Sequence, residues 1–561
     1  MVTNGALDAR ERSAVLRKLS DRQFDVLIVG GGITGAGAAL DAASRGLRVA
    51  LVEARDVASG TSSRSSKLIH GGLRYLEQRD FKLVREALHE RDLLVSSLAP
   101  HLVRPVSFLY PLYKKVVERP YVGAGLALYD AMEGTHRPVP FHRHLTIKGA
   151  TRKVPALRTD GLAGAMTYYD AQVDDARYAL TVTRTAAAHG ALVVTRARVE
   201  SLRRYGNKVI GARVRDEQTG RSVDVTAARV VVCAGVWTDE ILGGVPSGYK
   251  VRMSKGVHII LPREAIDAET GMILRTERSV LFFIPWDDRW IVGTTDTDWS
   301  GDPASVTADE SDVSYILEHA NRVLAKPLTR SDVLAVYAGL RPLVDTSSGS
   351  ATTKLSREHV VDKPVPGLVS IAGGKFTTYR IMARDVIDAA VEDLGRTVPE
   401  SVTGKLPLLG ADGLPGVRAS VPRLAEDHGV PEEYVEHLLG RYGAMTPEVL
   451  GLIDSDHSLR QPLADGSPYR RAEVAYAVLF EGALHVEDVL ARRTRLLIES
   501  EDAGVTAAPA VAAVMGGLLG WGRRRRAAEV REYTELAASD NAALYGPELV
   551  LTDGDAADVP A

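Results

Sequence analysis

At 561 residues the chain is too long for one simple core, so two or three domains are expected. Charged residues make up 25% and the formal net charge is −3, an ordinary balance that gives no support to a general nucleic-acid binder. A single cysteine, Cys233, excludes an internal disulfide and fits a reducing cytoplasm. The N-terminus mixes acids and bases without an apolar h-region, so no signal peptide is expected. No uninterrupted apolar run approaches the roughly 20 residues that span a bilayer, although attachment to a membrane surface needs only an exposed patch.

Residues 1–20 read as a charged helical leader. Residues 24–35 then run Phe-Asp-Val-Leu-Ile-Val-Gly-Gly-Gly-Ile-Thr-Gly, and a second apolar run, Leu47–Val52, ends at Glu53. Gly30, Gly32 and Gly35 fit G-x-G-x-x-G, so 24–54 carries strand, turn, helix, strand and acid: a dinucleotide-binding fingerprint. Gly30 permits the tight turn, Gly32 lets the backbone approach a pyrophosphate, and Gly35 lets the helix pack close to the strand. The helix start at Ile33 and Thr34 offers N–H groups and a positive dipole end to phosphates. Glu53, followed by Ala54, can accept hydrogen bonds from ribose hydroxyls. This motif by itself leaves open which dinucleotide is bound.

Ala58–Lys67 is a small, hydroxyl-rich loop, and a helical pattern follows over 80–98. Proline and aromatic residues in 100–145 predict irregular structure with short strands. Ala176–His189 predicts a helix, and Ala191–Val194, Lys208–Arg215 and Val223–Cys233 alternate like strands. Strands recur at 251–261, 279–284 and 289–294, an antiparallel block suited to a substrate-binding sheet. A glycine turn at Ile371–Lys375 opens a helix over 377–394. Pro399–Gly416 reads as a linker. Helical periodicity then fills 418–455 and 468–538, and an acidic, small-residue tail at 550–561 predicts disorder.

Two further elements resemble cofactor contacts. The apolar strand Val230–Cys233 ends in Ala234 and Gly235, small residues that let backbone approach a cofactor. Gly373-Gly374-Lys375 offers a second helix start. Three strand–glycine elements so far apart favour one extended cofactor, FAD, over a compact NAD site. The expected fold class is therefore α/β plus α. A Rossmann-like FAD-binding domain (about 21–110, 170–240 and 335–398) interleaves with an antiparallel-sheet substrate domain (about 111–169 and 241–334). A linker at 399–416 leads to a helical domain at 417–540 and a tail at 541–561. Cys233 is expected to be a small buried residue, and no metal site is expected.

The stretches Thr61–Ser63, Ser65–Glu77, Gly293–Asp296, Gly339–Leu343 and Gly373–Arg380 closely resemble the signature of the FAD-dependent, quinone-linked glycerol-3-phosphate dehydrogenases. Trp286, Val173–Arg177 and Arg492–Arg495 also fit, and the resemblance spans about 21–535. It implies oxidation of sn-glycerol 3-phosphate to dihydroxyacetone phosphate by hydride transfer to FAD. Electrons then pass to a membrane quinone, from a cytoplasmic protein peripheral on the inner face of the cell membrane, with anionic lipid as a neighbour and a homodimer as the assembly. Glycerol-3-phosphate oxidase, which makes hydrogen peroxide, and amino-acid oxidases of the same flavin superfamily are the alternatives.

Such a substrate needs cations for its phosphate and an acceptor for its alcohol proton. The resemblance points to Arg74, Tyr75, Arg341 and Arg357 around it. Arginine stays protonated, so Arg341 serves to bind and to stabilise charge, and the base is His258, with His70 as its rival. Lys375 is expected near the flavin or the substrate. Thr61, Ser62 and Ser65 can bond the cofactor, and Lys67, His70, Val199, Phe376 and Thr377 complete the cofactor set implied. The basic run Arg523–Arg526 beside Trp521 is either a lipid contact or a solvated helix face.

Overall fold

In the computed structural model, which describes residues 5–77, 80–114, 118–133, 137–277, 280–345 and 358–545, the strand Gln23–Val29 lies mid-sheet, parallel to Ser222–Val232 and Val49–Val52. Leu192–Val194 extends the parallel run on one side and Leu368–Gly373 on the other; His359–Val365 closes that edge antiparallel. Successive side chains of Val26–Val29 enter different cores. Val26 and Ile28 pack with the helices Ile33–Ser44, Asp175–Ala188 and Tyr379–Val391. Phe24, Leu27 and Val29 face the helix Arg12–Asp21 and the antiparallel pair Ala197–Tyr205 and Lys208–Asp216. A strand buried on both faces reads as an unbroken apolar run, which is why no alternation marks Val26–Val29.

The second sheet runs in the order Thr297–Trp299, Lys250–Pro262, Arg289–Gly293, Val280–Trp286, Gly271–Arg275, Val103–Leu112, Gly164–Val173, Leu68–Ile69. Ala335–Asp345 pairs with Lys250–Pro262 from Lys250 to Ile260, and Arg143–Leu145 pairs with Gly164–Val173. All these pairings are antiparallel except Gly271–Arg275 with Val103–Leu112. Helices between Leu414 and Asp540 form the C-terminal region, with a core of their own around Val435, Leu438 and Tyr476. They also share a core with the second sheet, in which Trp286, Tyr337 and Ile260 meet Val478, Val511 and Met515.

Several expectations need correction. Residues 100–145 are not irregular: they hold the ten-residue strand Val103–Leu112 and the 15-residue helix Glu118–Met132. Pro120 is tolerated there because it lies in the first helical turn, where its missing N–H has no partner to lose. Val103–Leu112 and Ala335–Asp345 belong to the second sheet, so the boundaries at 110 and 335 fall inside strands or on the wrong side of them. Ala197–Tyr205 is a further strand, which no apolar run marks because its polar residues face outward along a sheet edge. The leader is pinned: Leu19 is fully buried, and Leu7 N donates to Phe480 O at 3.0 Å. So is the linker: Leu408 and Leu414 are buried, Leu408 N donates to Leu98 O at 2.8 Å, and Leu409 N donates to Thr185 Oγ1 at 3.1 Å. Of the tail, Ala542–Tyr545 is helical, Asn541 Oδ1 accepts from Val336 N at 3.1 Å, and 546–561 lie outside the described residues.

Candidate active site

A cavity of about 410 Å³ joins the nucleotide turn of the first sheet to one face of the second. Gly30, Gly32, Ile33 and Thr34 line it where the strand Gln23–Val29 turns into its helix. Gly30 adopts φ +109°, and a Cβ there would lie 2.6 Å from Cys233 O, so only glycine fits the turn. Gly35 does not line the cavity; it lies beneath, where a Cβ would collide with Gly30 O. Ser62 Oγ accepts from Ile33 N at 2.9 Å at the helix start. Glu53 takes Gly31 N at 2.6 Å on one carboxylate oxygen and Arg55 N at 2.8 Å on the other, and burial pushes its carboxyl up from the usual range. Ala54, Val199, Ala234 and Gly235 line the same end. Cys233 is a buried thiol whose pKa is pushed up to about 12 by desolvation, too high for a reactive thiolate.

The loop over 59–67 is held mainly by its own hydroxyls. Thr61 Oγ1 donates to Leu340 O at 2.6 Å, and Ser65 Oγ donates to Asp175 Oδ2 at 2.7 Å while accepting from Lys67 N at 3.0 Å. Thr61 and Ser65 therefore line the cavity with hydroxyls already committed to protein partners. Lys67 is a larger departure from expectation. Its side chain is fully buried away from the cavity wall, with Nζ 2.9 Å from Asp175 Oδ1 and 3.2 Å from Ser63 O. An ammonium buried that deeply requires a carboxylate, and Asp175 supplies it.

At the other end the second sheet presents His258, Arg341 and, from the glycine turn, Lys375. His258 lies within the strand Lys250–Pro262, opposite Gly293 on one neighbour and Tyr337 on the other. Its ring stacks on Tyr337 at 4.8 Å between centroids, and a Cβ at Gly293 would lie 2.8 Å from its Cγ, so the glycine leaves room for the ring. His258 Nε2 is 2.8 Å from Ser66 Oγ. Burial, then the charges of Arg341 and Lys67, hold its pKa well below 6.5, so the ring is neutral near pH 7. The Arg341 guanidinium donates to Thr294 Oγ1 at 2.8 Å and to Thr295 O at 3.2 Å, with Asp296 Oδ1 at 3.5 Å. Gly256 leaves the space it occupies: a Cβ there would lie 2.8 Å from Arg341 Cζ. Lys375 Nζ stands 3.6 Å above the Tyr75 ring.

His70, Tyr75, Gly374, Phe376 and Thr377 also line this end. His70 and Thr377 are tied through the backbone, His70 N donating to Thr377 Oγ1 at 3.2 Å. The Arg74 side chain and all of Arg357 lie outside the described residues. Tyr337 and Trp237 carry no motif signal of their own, and Ser66 has only its place in a matched stretch; strand pairing brings Tyr337 to His258, the loop before Leu68–Ile69 brings Ser66, and Trp237 lines the cavity beside Gly60. One neutral imidazole, a guanidinium and an ammonium in one cavity can bind a dianion and accept a proton from an alcohol beside it.

The glycine cradle, the helix start and the acid at Glu53 fit the adenosine diphosphate part of FAD, and the length of wall from Val199 to Lys375 fits an extended cofactor. A family model described as FAD dependent oxidoreductase matches residues 25–389, and one described as the C-terminal domain of alpha-glycerophosphate oxidase matches 401–526. The chain is 50% identical to glycerol-3-phosphate dehydrogenase of Mycobacterium leprae over 550 residues, covering 98% of this chain and 94% of that protein. It is 38% identical to the mitochondrial glycerol-3-phosphate dehydrogenase of Mus musculus, covering 93% of this chain and 74% of that protein. Its structure is similar to that of glycerol-3-phosphate dehydrogenase from Bacillus halodurans complexed with FAD, with a TM-score of 0.77, 29% identity, and 95% and 98% of the two chains covered. FAD is the cofactor of this chain. With both of its domains matched and half of its residues shared across nearly its full length, the chain belongs to the family of FAD-dependent glycerol-3-phosphate dehydrogenases.

Proposed function

We propose that the chain oxidises sn-glycerol 3-phosphate to dihydroxyacetone phosphate and delivers the electrons to a membrane quinone, from a cytoplasmic position on the inner face of the cell membrane. The observation that carries this reading is that neutral His258, Arg341 and Lys375 all line one cavity. Two cations match a phosphate dianion, and a neutral imidazole can take the proton of the secondary alcohol. His258 is oriented by Ser66 and by the Tyr337 ring, so it need not pay to find its geometry at each turnover. Arg341 is locked by Thr294, Thr295 and Asp296, stays protonated, and stabilises the oxygen as charge develops on it. Arg74, Tyr75 and Arg357 complete the substrate set in this reading. FAD, when bound, supplies the acceptor for the hydrogen and electron pair that leave the substrate carbon. His70 is the alternative base, and a homodimer belongs to the same reading.

The name of the C-terminal family model keeps oxygen as the rival acceptor. Anaerobic glycerol 3-phosphate should bleach the flavin absorbance of the purified protein, whereas glycine and proline should not. Turnover should then reduce a quinone analogue without stoichiometric peroxide. An unbleached flavin overturns the substrate, and rapid peroxide formation without quinone reduction overturns the acceptor.

A further inference from the structure

The helix Glu118–Met132 turns an apolar face outward. Its exposed residues from 120 to 131 are Pro120, Tyr121, Ala124, Ala127, Leu128 and Ala131, with Tyr121 58% and Leu128 40% exposed. They recur at helical spacing, while Gly123, Leu126 and Tyr129 on the opposite side are buried. A helix apolar on both sides needs cover on both sides. Beside it Phe141 is 63% and Ile147 43% exposed, and Arg119 of the helix donates to Leu145 O at 3.0 Å, which sets the two segments together. Four of the seven large apolar side chains exposed among the described residues fall in this one stretch, so the patch is concentrated rather than scattered.

Charge says what covers it. Residues 114–153 hold eight Lys and Arg against three Asp and Glu, in a chain of net charge −3. All three acids are engaged. Glu118 accepts from Tyr113 N at 2.7 Å and Lys114 N at 2.8 Å. Asp130 bonds Arg137 at 2.9 Å and His142 at 2.6 Å, and Glu133 is buried between Arg91 and Arg137. Lys114, Arg143, Lys148 and Arg152 remain exposed. We propose that the face formed by Glu118–Met132 and residues 141–152 is where this protein rests on an anionic lipid bilayer. The apolar side chains enter the boundary between headgroups and acyl chains, and the bases meet lipid phosphates. A two-fold contact with a second copy would set the same basic rim against itself. The Arg523–Arg526 run lacks this combination: Arg525 is bonded to Glu529, Trp521 is half-buried, and Glu532 and Glu535 are exposed on the same helix.

This face backs onto the cavity. Tyr129, on the buried side of the helix, accepts from Gly71 N at 2.9 Å and donates to Asp170 Oδ1 at 2.6 Å, and Gly71 follows His70 of the cavity wall. The use of the face for electron delivery rests on the quinone reading above; lipid binding itself does not.

The test is co-sedimentation of the full-length, FAD-loaded protein with phosphatidylcholine vesicles, with and without about 30% phosphatidylglycerol. Binding is expected to the anionic vesicles. Tyr121→Asp with Leu128→Asp should weaken it at least about tenfold, and each charge removed in Arg143→Gln with Lys148→Gln about fivefold, since a basic residue contributes about 1 kcal/mol. Bleaching by glycerol 3-phosphate and elution volume should not change. Wild-type protein that ignores anionic vesicles overturns the proposal. So do variants that bind like wild type, loss of binding only in Arg523→Gln with Arg524→Gln, or a wild-type dimer that Leu128→Asp converts to monomer. Vesicle binding that persists when no quinone is reduced sinks the quinone reading and leaves the surface standing. Reduction of a short-chain soluble quinone without vesicle binding does the reverse.

Discussion

Replacing Asp175 by Asn tests whether the cofactor loop is held by a buried charge cluster. Asp175 collects five donors: Lys67 Nζ at 2.9 Å, Arg495 Nη2 at 3.0 Å and Ala176 N at 2.9 Å on Oδ1, and Ser65 N at 2.9 Å and Ser65 Oγ at 2.7 Å on Oδ2. An amide turns one of those oxygens into a donor that faces donors. Breaking a buried pair by removing one partner costs about 3–5 kcal/mol. Lys67 has an escape. Burial and, less strongly, Arg495 lower its pKa to about 8, so near pH 7 releasing its proton costs only about 1.4 kcal/mol. Arg495 has none, because it stays protonated; it keeps Ser63 O and Ala491 O, each at 3.1 Å. We expect a loss of about 3–4 kcal/mol in urea unfolding near pH 7, with weaker retention of FAD absorbance through gel filtration. A lysine whose folded pKa lies below its unfolded value of 10.5 binds more protons unfolded, so wild-type stability should rise with pH between about 8 and 10.5. Above pH 8 wild-type Lys67 is itself neutral, so the gap between the two proteins should narrow by about 1.4 kcal/mol from pH 7 to about 9.5. A loss under about 1 kcal/mol, or a gap unchanged with pH, refutes this account of the cluster.

His258→Ala should slow anaerobic bleaching by glycerol 3-phosphate roughly 10²–10⁴-fold with FAD still bound, and a change of only a few-fold would move the base to His70 or to water. In wild type, because burial and Arg341 keep the His258 ring neutral, the bleaching rate should show no acid limb near pH 6.5; a limb there would mean the ring titrates as if exposed. Arg341→Ala should abolish turnover without releasing FAD, and wild-type turnover would remove Arg341 from the site. Ser66→Ala leaves His258 Nε2 without its partner, so stopped-flow bleaching should fall about tenfold with little change in KM; an unchanged rate would make the 2.8 Å contact incidental.

The nucleotide turn was legible because its constraints are local. A positive φ at Gly30, a helix start at Ile33 and a carboxylate at Glu53 lie within one strand–helix–strand unit and are dictated by backbone geometry. Arg341 was identified by resemblance, His258 and Lys375 from their chemistry and neighbours in sequence, and all three are among the residues that line the cavity. Lys67 entered the cofactor set through the resemblance alone, and its burial against Asp175, away from the cavity, shows only in the fold. The motifs Asp174-Asp175 and Arg492–Arg495 matched the family without a visible purpose. In the fold Arg495 reaches Asp175, while Arg492 and Arg493 reach Asp56, so the helical region clamps the loops that line the cavity.

The chain's own residues, taken in order, determined the cofactor class, the pairing of α/β and helical regions and the identity of the family, because these rest on turns, periodicities and motifs contiguous in sequence. Only the tertiary structure decided which hydroxyl orients the base, which cations are struts and which face the cavity, and which helix shows apolar residues to the outside. Ser66 and His258 stand 192 positions apart, and nothing local to either encodes their 2.8 Å contact. Charge, burial and partner are properties of neighbours in space, and the tertiary fold chooses those neighbours.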